Sequence, residues 1–200
     1  LAYAQTHPTR VSELVLRGVY TLTREELLWY YQKGVSEMFP DKWDRFIAPI
    51  PEGERHDMMA AYRKRLVDPD ETVQLAAARA WSIWEGETIT LLPNATYTAN
   101  FSEDRFALAF ARIENHYFVH NGWLEEGQLL ANAGRLKDIP GAIIHGRYDM
   151  PCPARYAGGL HKTWPQAEIF LVDGAGHAYS EPGILDRLIH MTDKFAGKTA

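Results

Sequence analysis

Asp149 and His177 are the residues of this chain whose types and order best suit proton transfer. Each follows a short apolar run, "IIHGRY" before the aspartate and "FLVDGAG" before the histidine. Reacting groups in open α/β sheets gather at the carboxyl ends of the strands. An acid and then a histidine at successive strand ends can act as orienter and base, the carboxylate fixing the imidazole and the imidazole taking a proton from a nucleophile. Either residue by itself could be a turn former; the joint placement favours chemistry. A competing metal reading rests on His116 and His120, four apart and so on one helical face, but Tyr117 stands where the zinc-protease motif needs its glutamate.

The elements that must position this pair are legible from periodicity. "VSELVLRGVY" reads as a buried strand over Val11 to Val19, and strand signals return only at "GAIIHGRYD" and "AEIFLVDGAG". Helical patterns lie between the last two, "PARYAGGLHKTW", and after them, "ILDRLIHMTDKFA". Strand, helix, strand, helix implies a parallel sheet. Between Thr21 and Lys137 run "REELLWYYQKG", "DKWDRFI", "ERHDMMAAYRKRLV", "ETVQLAAARAWSIWEG", "DRFALAFARIENHYFVH" and "EEGQLLANAGRL", separated by Pro and Gly. The expected organisation is an α/β core formed by residues 1–20 and 138–200, interrupted by an all-helical cap over 21–137.

Composition narrows the function. The 200 residues are 46% hydrophobic, with 26 acidic against 21 basic side chains and net charge -5, so no field gathers nucleic acid or anionic lipid. A lone cysteine, Cys152, excludes an internal disulfide, and no apolar run approaches the roughly 20 residues of a membrane helix. A cytoplasmic location is expected. The order acid, then histidine matches the α/β-hydrolase triad, in which the nucleophile comes first. None of the five serines, Ser12, Ser36, Ser82, Ser102 and Ser180, sits in a Gly-x-Ser-x-Gly turn. "LAYAQTHP" reads as the back half of the helix that follows such a turn, so the chain is expected to be a fragment, inactive alone, with its nucleophile and oxyanion hole upstream of Leu1.

Taken together, "LAYAQTHP", "ELVLRG", "WYYQ", "AARAWSIWEG", "FALAFARIENHYF", "IIHGRYDMPCP", "LHKTWP" and "GAGHAYSEP" resemble the proline iminopeptidases (prolyl aminopeptidases) of the α/β-hydrolase superfamily. The resemblance spans essentially the whole chain. It implies a serine exopeptidase that releases N-terminal proline from peptides by acyl transfer, without metal or cofactor. Asp149 and His177 take the places of the family's catalytic acid and histidine. Glu85 of "WEG" and Glu114 of "IEN" take the places of two cap glutamates that hold the substrate's free amino group. Tyr20, Tyr30 and Cys152 match positions around the proline pocket, Tyr20 where phenylalanine is expected. The chemistry is coherent, because a prolyl ammonium offers two N–H donors and two carboxylates would accept both. Two other readings remain: another capped α/β hydrolase such as an esterase or epoxide hydrolase, and a non-catalytic domain that binds peptide termini.

Overall fold

The structure, a computed structural model, describes residues 1–197. In chain order its elements are α1 (Ala2–Thr6), β1 (Leu14–Arg17), α2 (Arg24–Tyr31), α3 (Val35–Met38), α4 (Pro40–Ile47), α5 (Met58–Leu66), α6 (Glu71–Thr88), α7 (Ala95–Phe101), α8 (Asp104–Val119), α9 (Gln128–Ala131), β2 (Gly141–Gly146), α10 (Ala154–Thr163), β3 (Glu168–Val172) and α11 (Pro182–Phe195), with four short 3-10 turns between them. They divide into two compact units, Leu1–Thr21 with Gly127–Ala200, and Leu22–Glu126. No helix among the described residues is long and apolar enough to cross a membrane.

The first unit is built on a parallel sheet of order β1-β2-β3. Leu14 pairs with Gly141 and Arg17 with Ile144; Ala142 pairs with Glu168 and Gly146 with Val172. All six residues of β2 are buried, as a central parallel strand covered on both faces must be. Because side chains alternate across a strand, Ile143 joins Ala4, Leu136, Ala157, Leu160 and Trp164 in one core layer. Its neighbours Ala142 and Ile144 meet Ala175, Ile184 and Met191 in the other. Gly146 ends β2 where a Cβ would lie 1.9 Å from the Gly176 carbonyl oxygen, so only glycine lets the histidine loop cross there.

The boundary of the helical unit differs from the one read in the sequence. Residues 127–137 were expected in the helical insert, yet they group with the sheet because Ala133, Leu136 and Leu130 pack into the layer containing Ala4, Val19 and Leu160. The first strand is also shorter than Val11 to Val19: Pro8–Arg10 forms a 3-10 turn, and Gly18 leaves the strand at φ +55.

In the helical unit, α6 and α8 lie side by side with Ala77, Ala78, Ala107 and Ala111 buried between the helices of this unit, small residues that let backbones approach. Asp70, an ordinary N-cap residue, starts α6 by accepting from the Thr72 amide at 2.8 Å, and the longer Glu103 caps α8 by accepting from the Phe106 amide at 2.7 Å. Thr23 and Glu26 form a capping box on α2. That box aims Tyr30 and Tyr31 inward, where both are buried.

Candidate active site

Asp149 lies just past the end of β2 and His177 in the loop after β3, and the fold brings them together. His177 Nδ1 donates to Asp149 Oδ2 at 2.9 Å, which leaves Nε2 as the ring's proton acceptor. The carboxylate is itself fixed, since Oδ1 accepts from the Cys152 amide at 2.8 Å. Asp149 is buried and the His177 side chain is 20% exposed, the arrangement of an anchored acid under a reachable base.

A histidine that sequence reasoning passed over completes this frame. His145 is wholly buried in β2. Its Nδ1 accepts from the Val19 amide at 3.1 Å, so its proton sits on Nε2, 2.7 Å from the Cys152 carbonyl and 3.4 Å from Asp149 Oδ2. Burial pushes its pKa down, which favours the neutral ring, and the Val19 and Cys152 bonds set its tautomer. The available signal was a titratable residue inside a six-residue apolar strand.

Cys152, expected at the rim of a pocket, is buried and contributes its backbone to the acid. Its sulfur, with Asp149 and His177, offers ligand atoms within 4.8 Å of one another. Tyr20 is half-buried and lines a cavity of about 260 Å³ with Leu16, Arg17, Gly18 and Leu129. His116 and His120 do stand together, with ring centroids 4.6 Å apart. His120 Nδ1 faces the His116 carbonyl at 2.7 Å, and its ring stacks on Trp123.

The helical unit holds the second group. Glu85 of α6 is 6% exposed; Oε2 accepts from Tyr30 at 3.0 Å and Oε1 from Tyr31. Glu114 of α8 accepts from Trp81 Nε1 at 2.8 Å, and its charge bears on the neighbouring Tyr31. Stacking of Tyr31 on Trp81, centroids 4.3 Å apart, walls the pair with aromatic carbon. Burial, and next the charge of Glu114, push Glu85 well up from the ordinary carboxylate range; burial raises Glu114 to about 7.

Hydrogen counting agrees. Tyr30 also meets Thr88 Oγ1 at 2.6 Å, and Thr88 meets the Trp84 carbonyl at 2.8 Å. With the two tyrosine contacts to Glu85 this makes four bonds for three hydroxyl hydrogens; a proton on Glu85 supplies the fourth by reversing the Tyr30 contact, with Tyr30 then donating to Thr88 and Thr88 to the Trp84 carbonyl. Of the expected residues, Asp149, His177 and Cys152 therefore meet in the sheet unit, and Tyr30, Glu85 and Glu114 in the helical unit. Tyr31, Trp81 and Thr88 were not singled out by sequence.

A parallel sheet with crossover helices, its acid and histidine at the ends of successive strands, is the architecture of an α/β hydrolase. The fold matches that of the suggested lipase lip1 of Acinetobacter baumannii AYE at a TM-score of 0.55 and 10% identity, over 98% of this chain and 57% of that one. In sequence the chain is similar to proline iminopeptidases. It is 54% identical over 196 residues to the proline iminopeptidase of Xylella fastidiosa (strain Temecula1 / ATCC 700964), covering 98% of this chain and 63% of that protein. It is 48% identical over 199 residues to a probable proline iminopeptidase of Leptolyngbya boryana, covering 99% and 62%. The chain thus spans about three fifths of the length of these relatives. No family profile matches it.

Proposed function

We propose that the protein is a serine exopeptidase releasing N-terminal proline from peptides, with Asp149 and His177 as two members of its triad and the serine in a part of the protein preceding Leu1. The observation that carries this reading is a fixed Asp149–His177 contact together with an aromatic-walled glutamate pair, Glu85 buried and Glu114 partly buried. Against a neutral ester these acids would stay protonated and unused, whereas an amino-terminal ammonium lets them ionise and accept its N–H bonds. The similarity to proline iminopeptidases supports proline as the terminal residue.

In this mechanism His177 Nε2 takes the serine proton as the hydroxyl attacks the prolyl carbonyl, then returns it to the leaving amine. Asp149 holds the ring and stabilises the imidazolium. Water repeats the sequence to free proline. Glu85 and Glu114 hold the ammonium. We place the enzyme in the cytoplasm. The test is hydrolysis of a prolyl amide by the full-length protein: His177→Ala should cost at least about 10³-fold in kcat, and a loss below about tenfold would remove His177 from the reaction.

A further inference from the structure

The end of β1 is built against His177. Arg17, its last residue, donates from Nη1 to the His177 backbone carbonyl at 2.6 Å, a charge-assisted bond between residues far apart in sequence. The next residue, Gly18, lies beneath the imidazole. A Cβ there would stand 2.8 Å from Cε1, 3.1 Å from Nδ1 and 3.6 Å from Nε2, and the backbone is already at φ +55. Any L side chain at position 18 would displace the ring from Asp149.

Both residues belong to the frame that holds the acid. Gly18 donates its amide to the Ile144 carbonyl at 3.2 Å, and Val19 donates to His145, which in turn bonds the Cys152 carbonyl. The histidine loop is tied ahead of the ring, where Tyr148 donates its amide to the Ala175 carbonyl at 2.9 Å and Gly176 donates to Glu181 Oε2 at 2.7 Å. The contact to Asp149 ties one ring atom and leaves the imidazole free to tilt about it. Arg17 holds the carbonyl of His177 itself, and Gly18 sets the floor on which the ring rests.

We propose that Arg17 and Gly18 are positioning residues for His177, the first anchoring its backbone and the second admitting its ring to the plane in which Nδ1 meets Asp149. The catalytic consequence rests on the reading of His177 as the base; the positioning does not. Misplacement of a reacting group by about 1 Å costs on the order of 100-fold, so a tilt visible by spectroscopy should appear in turnover.

The test reads the His177 imidazole Nδ1–H proton by NMR of the full-length protein, assigned by its loss in His177→Gln. The wild type should show a low-field resonance. Gly18→Ala should move or abolish it, and Arg17→Met should speed its exchange with water about tenfold, with Arg17→Lys recovering part of the protection and circular dichroism unchanged. The matching kinetic signature is kcat down about tenfold or more in Arg17→Met with KM within about twofold. If Gly18→Ala does not fold, the two Arg17 variants decide. A wild type without the signal, or an unchanged signal and exchange rate in Arg17→Met, overturns the proposal. A wild type that shows the signal but hydrolyses no prolyl amide leaves the positioning intact and overturns the peptidase reading alone.

Discussion

Removing Glu114, the partly buried member of the glutamate pair, should make the protein more tolerant of alkali. Glu114 is raised from 4.5 to about 7, so the folded protein binds this proton more tightly than the unfolded chain. That contribution to stability is complete below about pH 4.5 and is lost as pH rises through about 7. At 1.36 kcal/mol per unit the full range is roughly 3 kcal/mol, most of it falling between pH 5 and pH 8. Glu114→Gln abolishes this term and relieves Glu85 of the neighbouring charge that helps raise it. Glu85 still keeps a smaller slope from burial. The assay is urea unfolding at pH 5 and pH 8, followed by tryptophan fluorescence; Trp29, Trp43, Trp81, Trp84 and Trp123 lie in the helical unit and Trp164 in the sheet unit. Taking the difference between the two proteins' losses cancels the titrating groups they share. The wild type should lose about 2 to 3 kcal/mol more than Glu114→Gln. Equal losses would refute the claim that Glu114 holds a proton near neutrality.

Two further outcomes follow from the packing around the acid. Gly146→Ala should cost about 3 kcal/mol or more, read as the urea midpoint, because its methyl would meet the backbone oxygen of Gly176 rather than a movable side chain; a loss under about 1 kcal/mol would contradict the close crossing. Cys152→Ala should keep most prolyl amidase activity, because the bonds at that position come from its amide and carbonyl, whereas a bulky thiol reagent on wild type should block it. Inactivation of Cys152→Ala to the level of His177→Ala would make the sulfur a reacting group.

The acid and the histidine were legible because a βαβα pattern fixes which residues stand at strand ends, and Asp149 and His177 follow "IIHGRY" and "FLVDGAG" directly. Glu85 and Glu114 were reachable only through the family resemblance. They sit on two helices, and periodicity does not report which turns of α6 and α8 face each other; small residues such as Ala78 and Ala111 do that through packing. The same limit explains residues 127–137, whose apolar face was visible while the body covering it was not. Helix α7 was missed although Asn94 caps it by accepting from Thr96 and Tyr97, since "ATYTANF" carries little hydrophobic periodicity. Arg17, Gly18 and His145 escaped for another reason: each acts through a backbone atom or a ring contact across the sheet, and the register that creates those contacts (Arg17 opposite Ile144) appears only on folding.

The central claim is that this chain supplies an acid–base pair together with a cation-holding carboxylate pair for one reaction. It is tested most directly by kcat/KM of the full-length protein on a prolyl amide and on its des-amino analogue, in wild type, Glu85→Gln and Glu114→Gln. Each variant should lose roughly 2 to 5 kcal/mol of transition-state stabilisation on the prolyl amide and far less on the analogue. Equal losses on both substrates would contradict the claim and leave the glutamates as parts of the helical scaffold.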